Sequence, residues 1–247
     1  MNRILMPFLI AVQFLTIFPI TLPVIPSRDQ NAKSLLFHPL IGLAIGGVLY
    51  LLAMSHLPMI LTSAAVVAMW AWLTGGLHLD GLADTTDAWV GGFGDRERTL
   101  TIMKDTHTGA MGVIAIVVIM LLKFAAVYSL IEQQQMAVLI FAPMLGRLSV
   151  LMMFASTPYV RSGGIGSAFG DVAWRPLVAV ILLYLMGLWL LPVKLALGLG
   201  LGLVLTVAFL RYIFVKRIGG ITGDTLGAGI ELVEMMSVIL AVVLGVV

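Results

Sequence analysis

The chain has 247 residues, of which 61% are hydrophobic and 11% charged, with a formal net charge of +2 and no cysteine. Soluble domains carry roughly 25% charged residues, so an ordinary water-soluble domain is excluded, and so small a net charge argues against nucleic acid as a partner. The lack of cysteine excludes disulfides, a thiolate nucleophile and thiolate metal sites, leaving oxygen and imidazole as the donors available to any metal.

Eight apolar segments follow one another at roughly 4–20, 35–54, 58–77, 110–130, 136–156, 176–193, 195–213 and 229–247. A helix needs about 20 apolar residues to cross a bilayer, and most of these segments approach that length. The expected fold is an all-α, polytopic transmembrane helix bundle of about eight spans. The first and sixth segments are short and suit re-entrant or interfacial helices, which makes seven spans the alternative. The chain is read as a single integral membrane domain over residues 1–247, since no polar stretch is long enough to fold alone. Nothing at the N-terminus reads as a cleavable signal peptide. Gly42, Gly46 and Gly47 fall inside the second segment, where small residues serve close helix packing.

The connections at 55–57, 131–135 and around 194 are very short, and those at 21–34, 78–109, 157–175 and 211–228 are longer and polar. With eight spans the longer ones share one face. That face carries Arg28, Lys33, Arg96, Arg98, Lys104, Arg161, Arg175, Arg211, Lys216 and Arg217, against Arg3 and Lys194 on the other. The positive-inside rule assigns the richer face to the cytoplasm, with both termini outside. Two further cations, Lys123 and Arg147, lie within apolar segments, where a charge faces the bundle interior or water. Arg147 is read either as a phosphate ligand or as the structural partner of a buried carboxylate, and Lys123 as snorkelling or pairing locally.

Residues 73–112 hold Asp80, Asp84, Asp87, Asp95, Glu97 and Asp105, half of the 12 acidic residues of the chain. Asp80, Asp84 and Asp87 stand at i, i+4 and i+7, one face of a helix. Three like charges in a column repel, and a divalent cation with oxygen ligands, Mg²⁺ above all, neutralises them. The plain alternative is a solvated helix face, disfavoured by the Leu, Ala and Trp residues around it. His78 points to another side of this helix and is read as a hydrogen-bonding wall residue. Gly91, Gly92 and Gly94 form a turn, and Asp95 to Arg98 a solvated helix start with Arg96 and Arg98 near phosphate. Asp105 is the best fourth carboxylate, and Lys104 is placed to neutralise a phosphate.

Residues 216–228 have a similar composition: Lys216, Arg217, several glycines, Thr222, Asp224 and Thr225, ahead of Glu231 and Glu234. The topology puts this stretch on the same face as 78–109, so the two make a composite site for a phosphorylated substrate. The plain alternative is a helix start with Asp224 as its N-cap.

The run Gly75-Gly-Leu-His-Leu-Asp-Gly-Leu-Ala-Asp-Thr-Thr-Asp87 resembles the signature of the cobalamin synthase family. Phe37, Pro39, Gly42 and Gly46, the segment from Arg98 to Gly112, and Gly219 to Ala228 resemble three further motifs of that family, in the same order. The resemblance implies a Mg²⁺-dependent transfer at the bacterial cytoplasmic membrane, with the site facing the cytoplasm. Adenosylcobinamide-GDP is joined to α-ribazole or its 5′-phosphate, GMP leaves, and adenosylcobalamin or its 5′-phosphate forms. On this reading Asp80, Asp84 and Asp87 hold the metal, with Asp80, Asp84 and Asp105 as the catalytic carboxylates. Lys104, Arg147, Lys216, Arg217, Thr222 and Asp224 bind substrate. Association with other enzymes of corrinoid assembly would explain why the reaction sits at a membrane. The other readings are a transferase of the CDP-alcohol phosphotransferase kind and a divalent-cation transporter. The first expects an Arg where Asp84 stands, and the second expects carboxylates spread through the spans.

Overall fold

The computed structural model describes residues 4–161 and 165–245, with the backbone alone at Ile165. Arg3 and Val247, which entered the charge tally and the placing of the termini, lie outside the described residues. The helices are α1 (Leu5–Leu15), α2 (Arg28–Ser34), α3 (His38–Ala53), α4 (Met59–Leu73), α5 (Leu77–Gly91) and α6 (Arg96–Ile102). They continue with α7 (Ala110–Glu132), α8 (Val138–Ser156), α9 (Ile165–Phe169), α10 (Trp174–Gly187), α11 (Val193–Ile218) and α12 (Gly223–Gly245). Among the described residues the one β-type pairing is a bridge between Tyr159 and Ile221.

Every apolar segment becomes a helix, but not every helix has the length of a span. Five stretches do: α2 running on into α3, then α7, α8, α11 and α12, with α4 and α5 a sixth if that bent pair is counted as one. The 11 residues of α1 extend only about 16 Å at 1.5 Å per residue, half the hydrocarbon thickness of about 30 Å. The segment at α10 is also short, 14 residues before a single 3₁₀ turn. By length and composition the described helices give five spans, or six with the bent pair, fewer than the eight expected.

Two segment boundaries also move. The third segment stops at Leu73, because Gly75 and Gly76 take φ of +61° and +70°, a region that costs a side chain about 1–2 kcal/mol. The chain then turns by 84° into α5. At the other end of the sequence α11 runs through Lys216 and Arg217 to Ile218, where cations meet the negative end of the helix dipole. The helix α12 already begins at Gly223. What reads as a polar loop at 216–228 is thus a helix end, a tight turn and a helix start.

Close contacts set the bundle. A Cβ at Gly42 would come within 2.6 Å of the Pro143 carbonyl, and one at Gly46 within 2.3 Å of that of Ile140, so α3 lies directly on the backbone of α8. Gly47 has nothing near it, and the packing reading holds for Gly42 and Gly46 alone. A second crossing joins α5 to α12, where Gly81 and Gly227 face each other and a Cβ on Gly81 would stand 2.8 Å from the Asp224 carbonyl.

Charge inside the bundle is balanced. Lys123 on α7 donates to Glu231 and Glu234 of α12, each at 2.7 Å, and Arg147 on α8 is ion-paired with Glu234. The Lys123 ammonium also sits 4.3 Å from the Trp70 ring centroid on α4. Two cations thus meet two carboxylates, which suits an apolar interior where an unpaired charge is costly. Lys123 therefore neither snorkels nor pairs locally: its partners lie more than a hundred residues along the chain.

The longer connections gather at one end of the bundle. Arg28 is paired with Asp171 and reaches the Ser167 carbonyl. The amides of Val160 and Ile221 bond across to Ile221 and Pro158. Arg96 donates to the Ile218 carbonyl at 2.9 Å, and Arg217 to Thr99 Oγ1 and the Trp89 carbonyl. At the opposite end Gln135, Lys194 and Gly245 line a common recess.

Candidate active site

The site lies where α5 crosses α12, at the end of the bundle that collects the polar connections. The register of α5 puts Asp80 and Asp84 one turn apart, and the Gly81–Gly227 contact brings Asp224, in the first turn of α12, alongside them. Asp80, Asp224 and Asp87 are the like charges acting on Asp84, and Arg161 is the cation acting on it. Arg161 Nη1 donates to Asp224 Oδ2 at 2.9 Å. Asp80, Asp224 and Arg161 line a cavity of about 460 Å³ that runs from this cleft into the bundle. Its mouth carries the charged groups, and its depth is walled by Phe14, Phe169, Ile230 and the buried rings of His38 and His78. Tyr159 joins the wall, its phenol pushed up from its ordinary range by burial.

The expected metal triad is not assembled. Among the described residues no three carboxylates or imidazoles converge on one point. Asp87 is turned to α7: its Oδ2 accepts from the Gly109 amide at 2.6 Å and its Oδ1 from the Gly112 amide at 2.9 Å. It caps the start of that helix, as an anion at the positive end of a helix dipole should. The side-chain carboxylates of Asp80 and Asp84, by contrast, enter no hydrogen bond or ion pair among the described residues, and the bond from Asp80 to the Gly76 carbonyl is made by its amide. Two free carboxylates one turn apart are donors of the kind Mg²⁺ takes when water and substrate phosphate complete its shell. The donor chemistry thus fits a hard divalent ion at Asp80 and Asp84, without Asp87.

The other expected site residues divide. Lys104 reaches the rim, sharing a shallow depression with Met103, Arg161, Thr222 and Asp224. Thr222 lies there too, but its hydroxyl is buried, accepts from the Thr225 amide at 3.2 Å and contacts Met103 Sδ. It is the N-cap of α12, the role considered for Asp224. Asp105 is exposed and turned to His107, whose ring nitrogen and amide hold its carboxyl below the usual range. It forms no part of the cavity wall. Arg147 is 0% exposed and committed to Glu234, so of its two readings the structural one describes its place. Lys216 points outward with its ammonium 5.6 Å from the Tyr212 ring, and Arg217 fastens α11 to the ends of α5 and α6. His78 does line the cavity, but its Nε2 makes no hydrogen bond among the described residues.

Arg161, Tyr159, His38 and Phe169 were not singled out from sequence. Arg161 was counted only as a surface charge, although its connection, 157–175, was assigned to the same face as the two acidic stretches. That shared face was the signal that would have found it.

A bundle of apolar helices with an acidic, arginine-flanked cleft at one end and a cavity behind it marks a polytopic helical membrane protein with a candidate site for a charged ligand. The match is to the cobalamin-5-phosphate synthase family, over residues 7–243, and the chain belongs to that family. It is 50% identical to the adenosylcobinamide-GDP ribazoletransferase of Acinetobacter baumannii strain ACICU, covering 96% of this chain and 97% of the relative. Ribazoletransferases of Pseudomonas fluorescens Pf0-1 and Pseudomonas putida GB-1 are 46% and 43% identical, covering 94% and 98% of this chain and 96% and 100% of theirs. No solved structure matches the chain.

Proposed function

We propose that this protein is an adenosylcobinamide-GDP ribazoletransferase, which joins adenosylcobinamide-GDP to α-ribazole or its 5′-phosphate in cobalamin synthesis. The observation that carries the reading is family membership over nearly the whole chain, together with relatives of that name at up to half identity. The cleft is consistent with it. A ribose hydroxyl oxygen of ribazole bonds to the phosphorus on the cobinamide side of the pyrophosphate. The bridging P–O bond breaks, its electron pair leaves with GMP, and the hydroxyl proton passes to a carboxylate of the cleft wall. Arg161 and Lys104, at the rim beside Asp224, are placed to hold phosphate oxygens. Asp224 in turn fixes the Arg161 guanidinium.

Asp80 and Asp84 would hold a divalent ion of the Mg²⁺ kind, which when bound would shield charge on the pyrophosphate and on the departing phosphate. The walls of the cavity keep bulk water away from the reacting phosphorus, which favours ribazole over hydrolysis. The protein sits in the bacterial cytoplasmic membrane with the cleft on the cytoplasmic side, where the excess of Lys and Arg lies. The purified chain, given adenosylcobinamide-GDP, α-ribazole and Mg²⁺, should release GMP and form a complete corrinoid. GMP release that does not depend on ribazole, or no product with any ribazole or ribazole phosphate, would overturn the proposal.

A further inference from the structure

The cavity behind the cleft is apolar and aromatic in its depth, and it holds two buried imidazoles with ring nitrogens that make no hydrogen bond among the described residues. His38 is 2% exposed and His78 3%. Neither ring nitrogen of His38, nor Nε2 of His78, has a hydrogen-bond partner among the described residues. A neutral imidazole carries one N–H donor and one lone pair, and leaving either buried and unmade costs about 1–3 kcal/mol. Both rings line the cavity. Around them the aromatic side chains are already arranged in contact. The His38 ring lies 5.2 Å from Phe169, edge to face, and 6.0 Å from Phe14, and Phe154 packs on both Phe169 and Tyr159.

Resting on the ribazole-transfer reading, we propose that this cavity is the subsite for the base of the acceptor nucleoside. The base is held between the Phe14, Phe169 and Tyr159 rings, with its one ring nitrogen hydrogen-bonded by the His78 imidazole. The volume of about 460 Å³ falls in the range of about 300–1,000 Å³ usual for small-ligand sites. The base of ribazole is flat and largely apolar, with one unprotonated ring nitrogen, so it asks for aromatic faces and a single donor. The depth of the cavity offers that combination. A guanine, the other base in the reaction, presents donors and acceptors along two edges, and its recognition calls for several converging polar groups. The carboxylates and the guanidinium lie instead at the mouth, with Asp224 18% and Arg161 38% exposed. A nucleoside seated base-inward therefore leaves its ribose beside Asp80 and Asp224, where the hydroxyl meets the pyrophosphate. The guanosine end of the other substrate stays outside, towards Lys104 and Arg161.

The test is a two-substrate kinetic comparison on the full-length protein in detergent micelles, using α-ribazole and adenosylcobinamide-GDP as probes. His78→Phe and, separately, Phe169→Ala should raise KM for α-ribazole by about tenfold, the loss of roughly one buried hydrogen bond or ring contact. KM for adenosylcobinamide-GDP should stay within about twofold. His78→Gln, which keeps a donor, should restore most of the ribazole affinity, as a purely structural role would not require. Val150→Phe, which narrows the cavity from α8 without touching a polar group, should produce the same selective rise. Direct binding of radiolabelled α-ribazole to each variant provides the readout where turnover is lost through poor folding. A rise confined to adenosylcobinamide-GDP would overturn the proposal and assign the cavity to guanine. Unchanged ribazole binding in all the variants would overturn it as well. If the wild-type protein transferred no ribazole yet bound it with this histidine dependence, the failure would lie in the proposed function and the subsite would stand.

Discussion

Arg147 offers the sharpest division between two ways of using a buried cation. In the structure it is fully buried on α8 and paired with Glu234, which also accepts from Lys123. Replacing it by Met leaves Glu231 and Glu234 facing Lys123 alone, an uncompensated negative charge in the core of the bundle. Breaking a buried pair in this way costs about 3–5 kcal/mol. At about 2–4 °C per kcal/mol for a chain of this size, Arg147→Met should lower the unfolding midpoint by roughly 6–20 °C. The double variant Arg147→Met with Glu234→Met removes one charge of each sign and leaves the Lys123–Glu231 pair balanced, so it should recover much of the loss. The assay is thermal unfolding of the three proteins in one detergent, followed by size-exclusion fluorescence, with both KM values measured on the folded fraction. If Arg147→Met keeps the wild-type midpoint and instead raises KM for adenosylcobinamide-GDP, the residue is a phosphate ligand and the structural reasoning fails.

Asp87 separates capping from metal binding. Asp87→Ala should destabilise the protein by about 0.5–2 kcal/mol, the range for losing a helix cap, with the Mg²⁺ dependence of turnover unchanged; a large rise in the Mg²⁺ needed would contradict this. Gly81→Val should push α5 off α12, since its Cβ alone would meet the Asp224 carbonyl at 2.8 Å. Overpacking costs about 1–3 kcal/mol, and GMP release should fall at least tenfold as Asp80 and Asp224 separate. Arg161→Ala should raise KM for adenosylcobinamide-GDP by about tenfold, the weight of one charge-assisted contact, and an unchanged KM would remove it from the site. Arg28→Ala removes an exposed pair with Asp171 and an exposed bond to the Ser167 carbonyl and should move the unfolding midpoint by little, since such exposed pairs contribute about 0–1 kcal/mol.

The helices were legible because apolar runs of bilayer length leave little else for the chain to form. The shared face of the longer connections was legible from the alternation of the apolar segments, with their charge in agreement, and the contacts from Arg28 to Asp171, Val160 to Ile221 and Arg96 to Ile218 bring those connections together. Helical spacing placed Asp80 and Asp84 correctly on one face, but spacing alone cannot say what a carboxylate meets. Asp87 shares that face, yet α7 starts beside it and takes both its oxygens. The same limit applies to Arg147 and Lys123. Their partners, Glu231 and Glu234, are 87 and 108 to 111 residues away along the chain, so the network exists only once α7, α8 and α12 are packed. The helix start expected as the plain alternative at Asp224 falls two residues earlier, with Thr222 as its cap, and the glycines of its first two turns lower its apolar character without breaking it. The cavity was invisible for another reason: the side chains that wall its depth come from separate stretches of chain and, His38 and His78 apart, are ordinary apolar core residues.

The central claim is that ribazole transfer takes place at the α5–α12 crossing and needs the free carboxylates there. The most direct measurement is GMP release by purified Asp84→Asn, alongside equilibrium binding of adenosylcobinamide-GDP to the same preparation. The account predicts that release falls by at least about a hundredfold, as when a group that stabilises transition-state charge is lost, while the protein still folds and binds the corrinoid substrate. Release at the wild-type rate by folded Asp84→Asn would contradict it.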